Sequence, residues 1–176
     1  MRLAGDPIPD TRAMIRVDHA GEYGAARIYA GQLAVMGNRS PVSGEITRMA
    51  AQEEKHLAAF DRLIRERRVR PTLLLPLWHR AGFALGALSA LAGPKTAMAV
   101  TAAVETQIDR HYQEQRDLLQ GDDPELESLI AGFQAEEVEH REIAIAHGAE
   151  QAAAYPLLSA IIRAGCKMAI KLSGKI

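Results

Sequence analysis

The chain has 176 residues, enough for one substantial core and too few to divide comfortably into two, so a single domain over residues 1–176 is expected. Hydrophobic residues make up 48% and aromatic residues only 5%, which suits packed helices better than a β-sandwich. Lys and Arg number 21 against 22 Asp and Glu, and the net charge of -1 supplies no field for a polyanion, which argues against nucleic acid as a partner.

Capping and breaker residues mark the helices in order. Asp10 or Thr11 caps a first helix that runs to about Met36, where Gly37-Asn38 supplies a left-handed stop. Ser40-Pro41 opens a second, continuing to about Arg68. Pro94 starts a third that ends near Gly121, and Asp123-Pro124 is a cap followed by a first-turn proline for a fourth. Pro156 starts a shorter fifth, over about 156–172. Two helical hairpins, about 10–68 and 94–150, are therefore expected.

Each of the four long helices aims ionisable groups along its apolar stripe. Glu22 falls in step with Ile15, Asp18, Ala26, Tyr29 and Leu33, and Glu53 and His56 with Ile46, Met49, Phe60 and Leu63. Glu105 aligns with Thr101, Ile108 and Tyr112, while Glu137 and His140 align with Leu126, Ile130, Phe133 and Ala144. Glu and His three apart lie one turn from each other on one face, so Glu-x-x-His presents a carboxylate and an imidazole to one ion.

One such pair in a Glu-rich chain is weak; the spacing strengthens it. Glu22 precedes Glu53 by 31 residues and Glu105 precedes Glu137 by 32, each the length of helix, turn and returning helix. Across the halves the offsets are 83 for Glu22 to Glu105 and 84 for both Glu53 to Glu137 and His56 to His140. This is a weak internal duplication with the ligands in register. One Glu on each of two helices and Glu-x-x-His on each of two others is the ligand set of ferritin-like dimetal bundles.

Electrostatics gives the reason for a metal. Two carboxylates about 4 Å apart repel by roughly 4 kcal/mol at an effective dielectric of ~20, before desolvation is added. Two divalent cations would neutralise four carboxylates, and neutral imidazoles would complete a cluster tolerable in an apolar bundle. Carboxylate-rich ligation without thiolates favours two iron ions, or manganese, over structural zinc. His19, His79, His111 and His147 have no Glu three residues before them and are expected to be partnered or surface histidines. Asp18, one turn from Glu22, is a candidate for orienting a ligand histidine, or else belongs to a surface ion pair.

Between the halves lie 49 residues from His56 to Glu105, with a strongly apolar middle from Pro71 to Trp78 and from Ala81 to Gly93. The uncharged stretch Ala81 to Pro94 has 14 residues where about 20 are needed to span a bilayer. Near the C-terminus Arg163, Lys167, Lys171 and Lys175 recur every four residues beside Leu157, Leu158, Ile161, Ile162, Met168, Ala169 and Leu172. A basic stripe over an apolar face suits anionic lipid headgroups; a fifth helix packed on the bundle is the alternative. The architecture expected is all-α: a ferritin-like four-helix bundle with a long apolar crossover and an additional C-terminal amphipathic helix. The lone Cys166 forms no intrachain disulfide, and the N-terminus shows no signal or transit pattern, so the cytoplasmic face of a cell membrane is the expected location.

Several stretches resemble the demethoxyubiquinone hydroxylases of late ubiquinone biosynthesis. Arg16-Val-Asp-His-Ala-Gly-Glu-Tyr-Gly-Ala-Ala-Arg-Ile-Tyr-Ala-Gly-Gln32 is similar to that family's first-helix signature. Further likeness lies in Gln52-Glu-Glu-Lys-His-Leu57, Val104-Glu105, His111-Tyr112, Glu136-Glu-Val-Glu-His140 and Ile161-Ile-Arg-Ala-Gly-Cys-Lys-Met-Ala-Ile170. The resemblance implies that Glu22, Glu53, His56, Glu105, Glu137 and His140 hold two irons, and that His111 and Tyr112 lie near the quinone ring and its electron path. It implies O2-dependent hydroxylation of the ring of a polyprenylated methoxy-methyl benzoquinol, by a bacterial-type chain. NADH is a candidate reductant; a lipid-presenting accessory protein and a homo-oligomer are left open. The alternatives are a ferroxidase or iron-storage protein, a rubrerythrin-like peroxidase, which would usually carry an added electron-transfer module, and a metal-free helical membrane adaptor.

Overall fold

The computed structural model of the chain describes residues 9–176; residues 1–8, which the reading of one domain without a leader also covers, lie outside the described part. Six α-helices follow one another: α1 Thr11–Met36, α2 Ser43–Glu66, α3 Leu75–Leu91, α4 Pro94–Leu119, α5 Pro124–Ala146 and α6 Tyr155–Ser173, with a short 3-10 turn at Ala149–Gln151. There is no strand among the described residues.

Local chemistry sets most of these boundaries. The Asp10 carboxylate accepts from the Ala13 amide at 3.0 Å, and that of Asp123 accepts from Leu126 at 3.2 Å, satisfying amides left orphaned in the first turn. Gly37 and Gly121 take positive φ just beyond α1 and α4, where the chain must reverse. Helix α2 starts later than Ser40-Pro41 suggests. Those residues form the turn itself, where the Ser43 amide bonds the Ser40 carbonyl at 3.1 Å.

Helices α1 and α2 pack as one hairpin and α4 and α5 as the other. Two apolar clusters fill the bundle on either side of mid-height. One gathers Met36, Val42, Ile46, Met49, Met98 and Ala144; the other gathers Ile15, Phe60, Leu63, Leu119, Leu126 and Ile130. Each fully buried side chain of this size contributes about 1.5–3 kcal/mol. A third cluster, of Ile28, Val100, Val104 and Ile162 with Leu85 and Cys166 against it, is where the outer helices α3 and α6 seat on α1 and α4.

The apolar crossover is itself largely helical. Because apolar residues occur on every side of α3, its sequence carries no sharp amphipathic stripe, and the feature that seats it is small residues instead. A Cβ at Gly86 would stand 1.9 Å from the Ile28 carbonyl oxygen, and one at Gly31 would stand 2.2 Å from that of Phe83. Helices α1 and α3 therefore meet backbone to backbone. The Trp78 indole donates to Ser173 Oγ at 3.0 Å, tying α3 to the end of α6.

Gly86→Ala is expected to destabilise the protein by about 2–3 kcal/mol, because the added methyl meets backbone that has no rotamer to change. Gly132, inside α5, has nothing within 4 Å of its would-be Cβ. Gly132→Ala is expected to be neutral or to stabilise by up to about 1 kcal/mol. Urea midpoints of the two variants measure the contrast.

Candidate metal centre

The six residues singled out by spacing converge at the middle of the bundle. Glu22, Glu53, His56, Glu105, Glu137 and His140 are each no more than 1% exposed. Their donor atoms form two overlapping groups whose members lie within 4.8 Å of one another: Glu22, Glu53, His56 and Glu137, and Glu53, Glu105, Glu137 and His140. Glu53 and Glu137 belong to both. The arrangement has the form of two neighbouring cation positions, each with a Glu and a His of its own and two carboxylates in common.

The donor atoms face a shared centre rather than pairing with one another. His56 Nδ1 lies 3.1 Å from Glu137 Oε1 and 3.3 Å from Glu22 Oε2; His140 Nδ1 lies 3.2 Å from both Glu53 Oε1 and Glu137 Oε2. Despite these distances, both Nδ1 atoms, all four oxygens of Glu53 and Glu137, and one oxygen each of Glu22 and Glu105 lack hydrogen bonds of good geometry. So many buried polar atoms without partners would be severely destabilising unless something else binds them. Divalent cations fit this donor set in charge, in ligand type and in number.

Protonation tells the same story. Burial, then the charges of Glu137 and its neighbours, push the Glu53 carboxyl well above the usual range, and burial with Glu137 does likewise to Glu105. Burial opposes protonation of His56, but Glu137 and Glu22 outweigh it and raise the imidazole to about 10. Burial alone would also raise Glu137; its contacts with His140 and His56 reverse this and hold it low, at about 2. Protons thus gather where cations would reside.

The supporting contacts repeat across the two halves. Tyr29 donates to Glu105 Oε1 at 2.7 Å, and Tyr112 donates to Glu22 Oε1, so each half's tyrosine holds the other half's terminal carboxylate. Tyr29 and Tyr112 are 83 residues apart, the offset of Glu22 and Glu105. Burial and nearby carboxylates push both phenols well above their usual range, so they remain donors. Gln32 donates to Thr101 at 3.3 Å and Gln115 to Asp18 at 2.7 Å, a further matched pair at the same offset.

The histidines are fixed from outside, at Nε2. His56 Nε2 lies 3.1 Å from Glu136 Oε2, and His140 Nε2 lies 3.1 Å from Gln52 Oε1. Gln52 Nε2 in turn donates to Glu136 Oε2 at 3.0 Å. With Nε2 engaged on the outside, each ring turns Nδ1 inward as the nitrogen open to a cation. Sequence reading gave Gln52 and Glu136 no role; the available signal was that each immediately precedes the Glu of a Glu-x-x-His pair.

Asp18 lies beside a histidine, but not a member of the cluster, and Gln115 contacts both. Asp18 Oδ1 lies 3.3 Å from His111 Nε2. The reason is positional: His56 and His140 stand on α2 and α5 and turn their outer nitrogens to the seam between those helices, away from α1 and α4. His111 lies outside the six, half-buried, with its ring 6.4 Å from that of Tyr112. His19 pairs with Asp61 at 3.0 Å, His79 with the Tyr23 hydroxyl at 2.6 Å, and His147 is exposed.

A helical bundle with four carboxylates and two imidazoles turned to its centre has the ligand set of the ferritin-like class of dimetal proteins. Within that class, the sequence profile described as "Ubiquinone biosynthesis protein COQ7" matches residues 9–173, and the chain belongs to this family. It is 55% identical over 177 residues to the 3-demethoxyubiquinol 3-hydroxylase of Rhodospirillum rubrum, covering 99% of this chain and 84% of that one. The human mitochondrial NADPH-dependent 3-demethoxyubiquinone 3-hydroxylase is 53% identical over 167 residues, covering 93% of this chain and 76% of that one. The mitochondrial 5-demethoxyubiquinone hydroxylase of Saccharomyces cerevisiae is 40% identical over 173 residues, covering 89% and 74% respectively.

The pKa directions give a pH signature to the metal-free protein. Raised Glu53, Glu105 and His56 contribute stability that is complete at low pH and is lost as pH rises through their folded values; lowered Glu137 loses its contribution only as pH falls toward 2. Metal-free protein is therefore expected to melt at progressively lower temperature from about pH 5 to about pH 8, while protein saturated with a divalent cation keeps its melting temperature over that window. Loading should release protons, measurable with a pH indicator in weak buffer.

Proposed function

We propose that this chain hydroxylates the ring of a polyprenylated demethoxy-benzoquinone or quinol in ubiquinone biosynthesis, consuming O2 at two iron ions held by Glu22, Glu53, His56, Glu105, Glu137 and His140. The observation that carries the reading is the buried set of four carboxylates and two imidazoles, arranged as two groups sharing Glu53 and Glu137, in a chain of this family. Carboxylate-rich ligation with imidazole and without thiolates suits iron or manganese rather than structural zinc. When bound, the iron pair supplies activation of O2 and a store of electrons.

The chain's own residues do the rest. Tyr29 and Tyr112 each hold one oxygen of a terminal carboxylate and leave the other turned to the centre, so Glu105 and Glu22 keep one donor atom free to shift. The apolar clusters above and below keep water from a reactive centre. His111, half-buried beside Tyr112 and in contact with Gln115 and Asp18, is the group we assign to the approach of the ring and of electrons on the Glu22 side. A nicotinamide donor is in keeping with the name of the human mitochondrial relative, which specifies NADPH; the sequence left the reductant open, with NADH as one candidate.

No helix of the described residues is long and apolar enough to cross a membrane. Helices α3 and α6 nonetheless leave Leu77, Leu88, Leu91, Leu157, Ile161 and Met168 half or more exposed, with Lys167 and Lys171 exposed along α6 and Lys175 exposed just beyond it. Such a face suits a lipid surface, from which a long-tailed quinone would come. A ferroxidase needs the same ligands but not that face, which favours the hydroxylase.

Iron-loaded protein given a short-tailed demethoxyquinol, a reductant and isotopically labelled O2 should place one labelled oxygen on the ring, and Glu53→Gln should abolish this; product without label would refute the reading. Flotation with anionic vesicles should carry the protein upward, and Leu88→Glu with Ile161→Glu should weaken binding by about tenfold or more.

A further inference from the structure

The two cation positions are near-copies by their inner ligands, and they differ behind them. At the first, with Glu22 and His56, the outer nitrogen of the histidine meets the Glu136 carboxylate. At the second, with Glu105 and His140, it meets the Gln52 amide, the residue 84 positions before Glu136 and hence its counterpart in the duplication. The Gln52 oxygen is also shared: Arg48 Nη1 donates to it at 3.1 Å. The counterpart of Arg48 across the halves is Gly132, which places no cation behind Glu136.

Two further departures fall on the same side. Thr101 and Ile28, near the second position, correspond to Asp18 and His111 near the first. Tyr29 with Tyr112 and Gln32 with Gln115 are kept alike. Around the Glu22 and His56 position, Glu136, Asp18 and His111 stand where the other half has the neutral Gln52, Thr101 and Ile28.

A carboxylate accepting the outer N–H of an imidazole leaves the ring a stronger donor at its other nitrogen than an amide does, and such partners change metal affinity by about 10–100-fold. A guanidinium drawing on the amide oxygen weakens that acceptor further, while its own charge is answered by Glu45 at 3.2 Å and Glu139 at 3.0 Å and so adds little at the second position. Both effects have one sign.

We propose that the two cation positions are unequal, that the Glu22/His56 position takes the first divalent cation, and that Glu136 is the positioning residue that creates the difference. The inference rests on the dimetal reading above. It makes Glu136 the group that orders loading. The residue reaches no reacting atom; its side chain is 40% exposed, and it acts through His56, while the same oxygen also accepts from Gln52 Nε2 at 3.0 Å.

The test is metal-free protein titrated with Co(II), together with crystals given one equivalent of Co(II) and measured for anomalous scattering. The wild-type chain should bind two ions with affinities about tenfold or more apart, and the single equivalent should sit mainly between Glu22 and His56. Glu136→Gln keeps an oxygen for His56 and Gln52 but removes the charge; its two affinities should draw together and its single equivalent should divide between the positions. Gln52→Met, which strips His140 of its acceptor instead, should leave the first ion beside His56. Equal occupancy in the wild-type chain, first occupancy beside His140, or a preference unchanged by Glu136→Gln overturns the proposal while leaving the dimetal reading intact. Binding of fewer than two ions at saturation overturns both.

Discussion

Four carboxylates buried in two overlapping groups, with the donor atoms of each group within 4.8 Å of one another, are the constraint to which the rest of this bundle answers. No packing of apolar side chains offsets that repulsion; only positive charge placed among the oxygens does. Without cations the charge arrives as protons, carried by Glu53, Glu105 and His56 at the cost of coupling the fold to pH. With cations the same groups become ligands. The fold's stability and its chemistry thus draw on the same atoms, and the apolar clusters at either end give those atoms a dry, fixed setting.

Around this centre the chain uses its internal duplication twice over. The inner ligands, the two tyrosines and the two glutamines obey the repeat, and each half reaches across to steady the other. A Glu-x-x-His helix from one half needs its neighbour from the other half to hold its histidine. Neither hairpin alone could assemble a complete set of contacts, which gives the bundle a chemical reason to stay closed beyond its apolar burial.

Much of this was legible because it is local and periodic. Glu22, Glu53, Glu105 and Glu137 could be read as inward-facing since each falls on a stripe of apolar residues, and Pro94, Asp123-Pro124 and Gly37 marked helix ends by their own backbone preferences. What escaped was whatever depends on the contact between helices. Asp18 shares a face with Glu22, but which histidine it meets is decided by the packing of α1 on α4. Gln52 and Glu136 sit just off their stripes, at the seam between α2 and α5, and nothing within either helix says that they cross over. Helix α3 carries no sharp stripe, so its seat on α1 is recorded only in the glycines that permit close approach.

That close approach has a mechanical corollary. Where side chains separate two helices, a load on one is absorbed as rotamers shift; where carbonyl meets glycine, nothing is left to yield. Leu77, Leu88 and Leu91 stand on the outer surface of α3, and its inner surface bears directly on the helix that carries Glu22 and Tyr29. Whatever presses on those leucines therefore pushes on the scaffold of the reactive centre itself, as a lever with no slack in its joint.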